Sequence, residues 1–248
     1  MNISSRPHIA VATVVLSFRE KARQIRFEQA AAEAAFASFI GSPSQQTNVP
    51  DDAPSNTPRI FFTSGTTTIM ISQEACQMQI ASDLSDLSVF ERFKFIVEKV
   101  NEFSKLSLIF KSAEQYSSQG FIIDINVPIA GAIELALEEM HSRLVKAKPL
   151  GEIASMQILL GYKVNDVFLN FTVSAYETRS GDLTNTQIST EEIRKLKLTE
   201  VGIGIKLDIN NRPREVDPES KHSLDELLQI SHGFLANDFS TIFGIDIA

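Results

Sequence analysis

Apolar residues alternate with polar ones along several short stretches, and this alternation restricts the fold more than any other feature of the chain. It is clearest over 200–209, where every second residue is apolar: Val201, Ile203, Ile205, Leu207 and Ile209. A period of two is typical of a strand that buries one face. The sequence therefore predicts an antiparallel sheet that is covered on one side.

The predicted strands and helices follow the same order in the two halves of the chain. Residues 1–115 contain, in order, a strand over 8–18, a helix over 20–40, three strands over 59–63, 67–72 and 76–82, and a helix that begins at Ser88. Residues 116–248 contain a strand over 119–127, a helix over 131–147, a hairpin over 152–164 and 166–177, a strand over 200–209 and a closing helix.

This order predicts an α+β fold of two similar halves, 1–115 and 116–248, that together form one compact unit. Each half contains a strand, a helix, three strands and a helix, and the antiparallel sheets carry long helices packed on one face. The hairpin in the second half is expected to turn near Asn165 and Asp166.

Local signals mark several boundaries. Gly41 is expected to end the first helix, and the segment 41–58, with four prolines and few apolar residues, predicts a mobile loop. Two capping boxes are expected to begin the later helices: Ser88 with Glu91, and Ser223 with Glu226.

The overall charge narrows the range of partners. The chain has 248 residues, with 23 Lys and Arg against 31 Asp and Glu, which gives a net charge of −8. Nucleic-acid contacts need clustered cations, so this balance disfavours DNA or RNA as a partner. No window approaches the ~18 apolar residues of a membrane span. Without a signal-peptide pattern, the sequence predicts a cytoplasmic protein that does not enter a membrane.

One segment looks like a functional motif. Thr63-Ser64-Gly65-Thr66-Thr67 matches the beginning of the phosphate-binding signature of adenylate-forming enzymes. The glycine and lysine that should follow, which wrap and neutralise the phosphates, are absent. The segment is better interpreted as a hairpin turn, and Ser64, Gly65 and Thr66 remain an alternative ligand site.

The other polar residues give no catalytic pattern. Arg19, Arg23 and Arg26 fall near one face of the predicted first helix, where a solvated face is the simpler interpretation and an anion site the alternative. No two of the four histidines have metal-ligand spacing, and the single cysteine, Cys76, is expected to be buried. The sequence therefore predicts no metal, no cofactor and no catalytic residue.

The closing helix carries a wide apolar stripe that includes Phe234 and Phe239. Such a stripe is either buried within the chain or shared with a second subunit. Because two-fold homodimers are the commonest oligomers, we expect a homodimer in which these two residues contribute to the contact.

Several segments resemble a sporadically distributed bacterial family of uncharacterised proteins of about this length. The segments are "RPHIAVATVVLSF", "PRIFFTSGTTTIMISQEACQMQI", "LSVFERFKFIVEKVNEF", "GFIIDINVPI", "VGIGIKLDIN" and "LDELLQISHGFLANDFSTI". The chain differs from the family pattern in having no Trp and in having Leu228-Gln229 where the pattern has His-Glu. The resemblance implies an accessory role, including bacterial defence or toxin–antitoxin-like systems.

Three functions are compatible with these observations. The first is a non-enzymatic binding or assembly protein that acts through protein–protein contacts. The second is an enzyme or small-ligand binder, including a nucleotide binder, with a site assembled from scattered residues. The third is a DNA-linked regulator, which the acidic charge disfavours. The absence of a catalytic pattern favours the first.

Overall fold

The computed structural model describes residues 3–50, 52–81, 87–164, 167–181, 190–211 and 224–247. Two sequence predictions therefore lie outside the described residues: the turn at Asn165 and Asp166, and the cap at Ser223.

The described residues form nine strands. The strands are β1 (His8–Phe18), β2 (Gln45–Gln46), β3 (Ile60–Ser64), β4 (Thr67–Ile71), β5 (Ala75–Ala81), β6 (Tyr116–Pro128), β7 (Gln157–Val164), β8 (Val167–Ser180) and β9 (Lys197–Asn210). The helices are α1 (Gln29–Ile40), α2 (Val89–Phe110), α3 (Ile133–Leu144), α4 (Thr190–Lys195), α5 (Leu224–Gly233) and α6 (Phe239–Phe243).

All nine strands belong to one sheet, in the order β2-β3-β4-β5-β1-β6-β9-β8-β7, and every neighbouring pair is antiparallel. The predicted α+β class with an antiparallel sheet is therefore confirmed. The pairing of β1 with β6 joins the strands before and after residue 116 into a single sheet.

The alternation along β9 puts its apolar residues into the core, as the sequence predicts. Val201, Ile203, Ile205, Leu207 and Ile209 are all buried. Between them, Lys206 is exposed and Asp208 is partly buried. On the face of the sheet that carries Lys206 and Asp208, Lys206 Nζ lies 3.6 Å from Asp124 Oδ1. Burial raises the pKa of the Asp124 carboxyl, although the lysine opposes this effect.

Helix α2 begins where the sequence predicts. The Ser88 hydroxyl accepts a hydrogen bond from the Glu91 amide at 3.2 Å, and the Ser88 amide donates to Glu91 Oε2 at 2.9 Å. These two bonds form the predicted capping box. The buried side of the helix carries Val89, Phe93, Ile96, Val100 and Phe103.

The first helix is shorter than the sequence predicts. Instead of a helix over 20–40, a 3₁₀ turn at Ile25–Glu28 leads into α1, and the chain before it is irregular. The Ala22 amide donates to the Gln73 carbonyl at 2.8 Å, so this part of the chain contacts the β4–β5 turn. Gly41, with φ of 76°, ends the helix as expected.

The described part of 41–58 has more structure than the prediction of a mobile loop. It contains β2, which pairs with β3. Its Ser44 hydroxyl donates to Glu33 Oε1 at 2.6 Å, and this bond lowers the pKa of Glu33. Arg59 is 1% exposed, and its guanidinium donates to the carbonyls of Thr57 and Ala53 at 3.3 and 3.4 Å. Hydrogen bonds with charged and polar residues therefore hold this segment, which has few apolar side chains that could pack.

Among the described helices, none is both long enough and apolar enough to cross a membrane.

Candidate functional site

Ser64, Gly65 and Thr66 lie at the tip of the β3–β4 hairpin. Ser64 pairs with Thr67, which leaves Gly65 and Thr66 as a two-residue turn, and Gly65 has φ of 54°. The hairpin interpretation is therefore confirmed. A Cβ atom added to Gly65 would meet nothing within 4 Å, so no group of the described residues encloses the tip at this position.

The three arginines lie away from this tip. Arg19 and Arg23 are exposed, and the Arg23 carbonyl accepts a hydrogen bond from Gln73 Nε2 at 3.4 Å. Gln73 and Gly65 are at opposite ends of the five-residue β4, about 16 Å apart at ~3.3 Å per residue. Arg26 donates to the Val49 carbonyl at 3.1 Å. The structure brings Arg19 and Arg23 to one pocket, which Lys21 and Lys111 also line. Arg26 and the turn at 64–66 do not line that pocket.

Phe234 and Phe239 lie inside the chain. They are 4% and 0% exposed, and Phe234 belongs to a π-helical turn between α5 and α6. The Phe239 ring is 4.9 Å from the Phe243 ring and 6.2 Å from the Phe234 ring, and Phe234 is 5.8 Å from Phe171 of β8. Of the two alternatives for this stripe, the structure shows burial within the chain, so these residues present no surface to a second subunit.

A groove of about 810 Å³ lies between α2 and α5, and we call it the α2–α5 groove. Phe90, Phe93 and Val97 of α2 and Leu228 of α5 supply its apolar surface. Phe93 and Leu228 are 3% and 4% exposed and form its floor, whereas Phe90 and Val97 are only partly buried. An apolar concave surface with polar groups around it is the usual form of a binding site.

The polar residues of the groove are distributed unevenly along it. His232 lies 6.1 Å from the Phe90 ring and 5.9 Å from the Phe93 ring, so the end of α5 meets the beginning of α2. Lys94 and His232 therefore lie towards one end. Glu98 and Asp225 lie further from that end: at ~1.5 Å per helical residue, Glu98 is about 6 Å from Lys94 along α2, and Asp225 is about 10 Å from His232 along α5.

The groove does not contain an evident catalytic arrangement. Within the described ranges, no group of three or more His, Cys, Asp or Glu side chains is placed to hold a metal ion. Cys76 is fully buried in β5, and burial raises the pKa of its thiol. The thiol is therefore a protonated core group rather than a nucleophile.

The spacing of apolar residues in the sequence does not identify the groove. Nothing in the spacing of Val97 distinguishes it from Phe93 or Ile96. The only local signal is that the apolar side of α2 is wide, extending from Phe90 to Val97.

The chain matches no protein-family profile, no curated protein and no solved structure.

Proposed function

We propose that this chain is a non-enzymatic binding protein that holds an apolar helical segment of a partner protein in the α2–α5 groove. The observation that carries the proposal is the open apolar surface that Phe90, Phe93, Val97 and Leu228 form between α2 and α5. Helix-in-groove recognition uses a surface of this kind, with anchors spaced three and four residues apart.

The dimensions of the groove suit a short helix. From Phe90 to Asn101 the wall formed by α2 is about 17 Å long, which matches roughly three turns of a partner helix. Large apolar side chains at the centre of an interface contribute most of the affinity. Phe93 and Leu228 are in that position here, with polar residues around them.

The charges of the groove favour one orientation of the partner. A helix carries partial positive charge at its N-terminus and partial negative charge at its C-terminus. The partner's N-terminus would lie beside Glu98 and Asp225, and its C-terminus beside Lys94 and His232. Acidic residues in the first turn of the partner would therefore weaken binding.

In this proposal the groove lies between equivalent helices of two similar halves of the chain. From the centre of the sheet outward, the strands run β1, β5, β4, β3 on one side and β6, β9, β8, β7 on the other. Helix α2 follows β5, and α5 is the next described helix after β9. Two similar halves, 1–115 and 116–248, would then meet at β1 and β6, with their equivalent helices forming the groove. The two fragments, co-expressed, should associate; two fragments that remain separate would count against this relation.

The accessory role in bacterial defence or a toxin–antitoxin-like system, which the resemblance implies, is the setting that we propose for this binding. A partner supplied by such a system would be a protein, in agreement with the acidic charge of the chain.

A displayed library of amphipathic helical peptides tests the proposal. Selection on the wild-type protein should yield peptides that no longer bind Val97→Arg, because a cation placed on the apolar surface of the groove excludes an apolar ligand. Ile109→Arg is the matched control, since Ile109 is on the same helix, 69% exposed and outside the groove. Glu98→Lys, at an exposed rim position, should weaken binding without affecting folding.

Peptides that bind Val97→Arg as tightly as the wild type would show that they occupy another surface. A library that yields no binder, together with a small molecule or nucleotide that binds and protects the groove, would favour the small-ligand alternative.

A further inference from the structure

The two edges of the sheet differ in how well they are protected from pairing with another chain. One edge is β2, which is only two residues long, Gln45–Gln46. Very short and polar edge strands are a common protection. The other edge is β7, which is eight residues long, and no described element pairs with its outer side. A long edge strand presents a row of unpaired backbone donors and acceptors.

The side chains of β7 extend the apolar core to this open edge. Leu160 and Tyr162 lie opposite Phe171 and Leu169 of β8, and therefore on the helix-covered face. Yet Leu160, Tyr162 and Val164 are 37%, 50% and 43% exposed. On the other face Leu159 is 71% exposed. The only charged residue in the strand is Lys163.

We propose that β7 pairs antiparallel with β7 of a second copy of this chain, around a two-fold axis at Gly161. Each sheet would then continue into the other, and a stripe of four residues from each copy would close over the junction. The stripe consists of Ile158, Leu160, Tyr162 and Val164.

The sequence of the strand is complementary to itself in this register. A two-fold axis perpendicular to the sheet requires that paired residues lie on the same face. With Gly161 on the axis, Leu160 lies opposite Tyr162 of the other copy, and Ile158 lies opposite its Val164. Lys163 lies opposite Leu159 rather than opposite another Lys163, so no like charges meet. An axis at Leu160 would leave Val164 opposite Met156, which lies outside the strand.

This contact is independent of the α2–α5 groove. The groove helices pack on β1, β5, β6 and β9, whereas two further strands, β8 and β7, extend beyond β9. Loss of the dimer should leave peptide binding in the groove unchanged, so the two proposals can fail separately.

Light scattering on the full chain tests the contact. At high micromolar concentration the mass should be twice the 27.5 kDa of one chain. Leu159→Lys places a lysine opposite Lys163 of the other copy and should weaken the dimer, while Leu159→Glu at the same exposed position should retain or strengthen it. Two symmetric cross-strand pairs give an expected difference of roughly two- to thirtyfold in the dissociation constant between these variants. A monomeric wild type, or equal constants for the two variants, would overturn the proposal.

Cross-linking tests the register. The double variant Leu159→Cys, Lys163→Cys should form two disulfides between copies, since directly opposed residues have Cα separations of ~4.5–5.5 Å. Neither single-cysteine variant should cross-link, because each cysteine then faces a residue without a thiol. Cys76 is buried and does not interfere. A cross-link in either single variant, or none in the double variant, would overturn the register and the axis at Gly161.

Discussion

Replacing Phe239 with alanine should destabilise the protein strongly without changing its mass in solution. The ring is 0% exposed and lies 4.9 Å from the Phe243 ring and 6.2 Å from the Phe234 ring, within the range of favourable aromatic pairs. Truncating a buried Phe removes its transfer free energy and leaves a cavity, at a cost of about 3–5 kcal/mol. For a chain of this size, that loss lowers the Tm by about 6–20 °C.

The assay is urea or thermal unfolding, and Phe27→Ala is the control. Phe27 is 80% exposed, so the same chemical change there should alter the free energy of unfolding by no more than about 0.5 kcal/mol. The reasoning would be refuted if the two variants unfolded alike, because the closing helix would then not be docked in the core. A fall in mass for Phe239→Ala, with stability unchanged, would instead place the ring at a subunit contact.

Three further outcomes are expected. Ser88→Ala removes the hydroxyl of the capping box and should cost about 1 kcal/mol of stability in chemical unfolding; no change would mean that the cap is not formed. Burial raises the pKa values of Tyr116 and Tyr176 in the folded chain, whereas unfolded tyrosines ionise near pH 10. The contribution of these two tyrosines to the free energy of unfolding should therefore be constant below that pH, and the free energy of unfolding should fall above it. A flat profile at high pH would contradict the burial. Deleting 42–57 removes the carbonyl partners of the buried Arg59 and should lower the Tm, and an unchanged Tm would support the mobile loop that composition predicts.

The strand pattern was predictable because it is local. The alternation along β9 is set by residues two apart, and a half-buried strand is the only regular structure that uses it. The capping box at Ser88 and Glu91 is likewise complete within four residues. Such features do not depend on how distant parts of the chain meet.

Other features depend on distant contacts and were not predictable. The spacing of Ala22 and Ile25 suits a helix, but the chain there is held by Gln73 of a distant turn, so the helix begins later. The segment 41–58 has little apolar surface, and its structure depends on Glu33 and Arg59, which lie outside it.

The α2–α5 groove also depends on contacts between distant parts of the chain. A pattern in one helix shows which residues are apolar, but it does not show where a second helix stops covering them. Val97 and Phe93 therefore have the same local signal, although only Val97 is left partly exposed at the groove.

The most direct test of the groove as a binding site is differential capture from the cells that encode the protein. Tagged wild type, Val97→Arg and Ile109→Arg would be purified in parallel, and the proteins retained on each would be quantified by mass spectrometry. The account predicts a protein retained equally by wild type and Ile109→Arg and lost from a folded Val97→Arg. Retention by all three, or the same loss from both variants, would contradict the groove as the site.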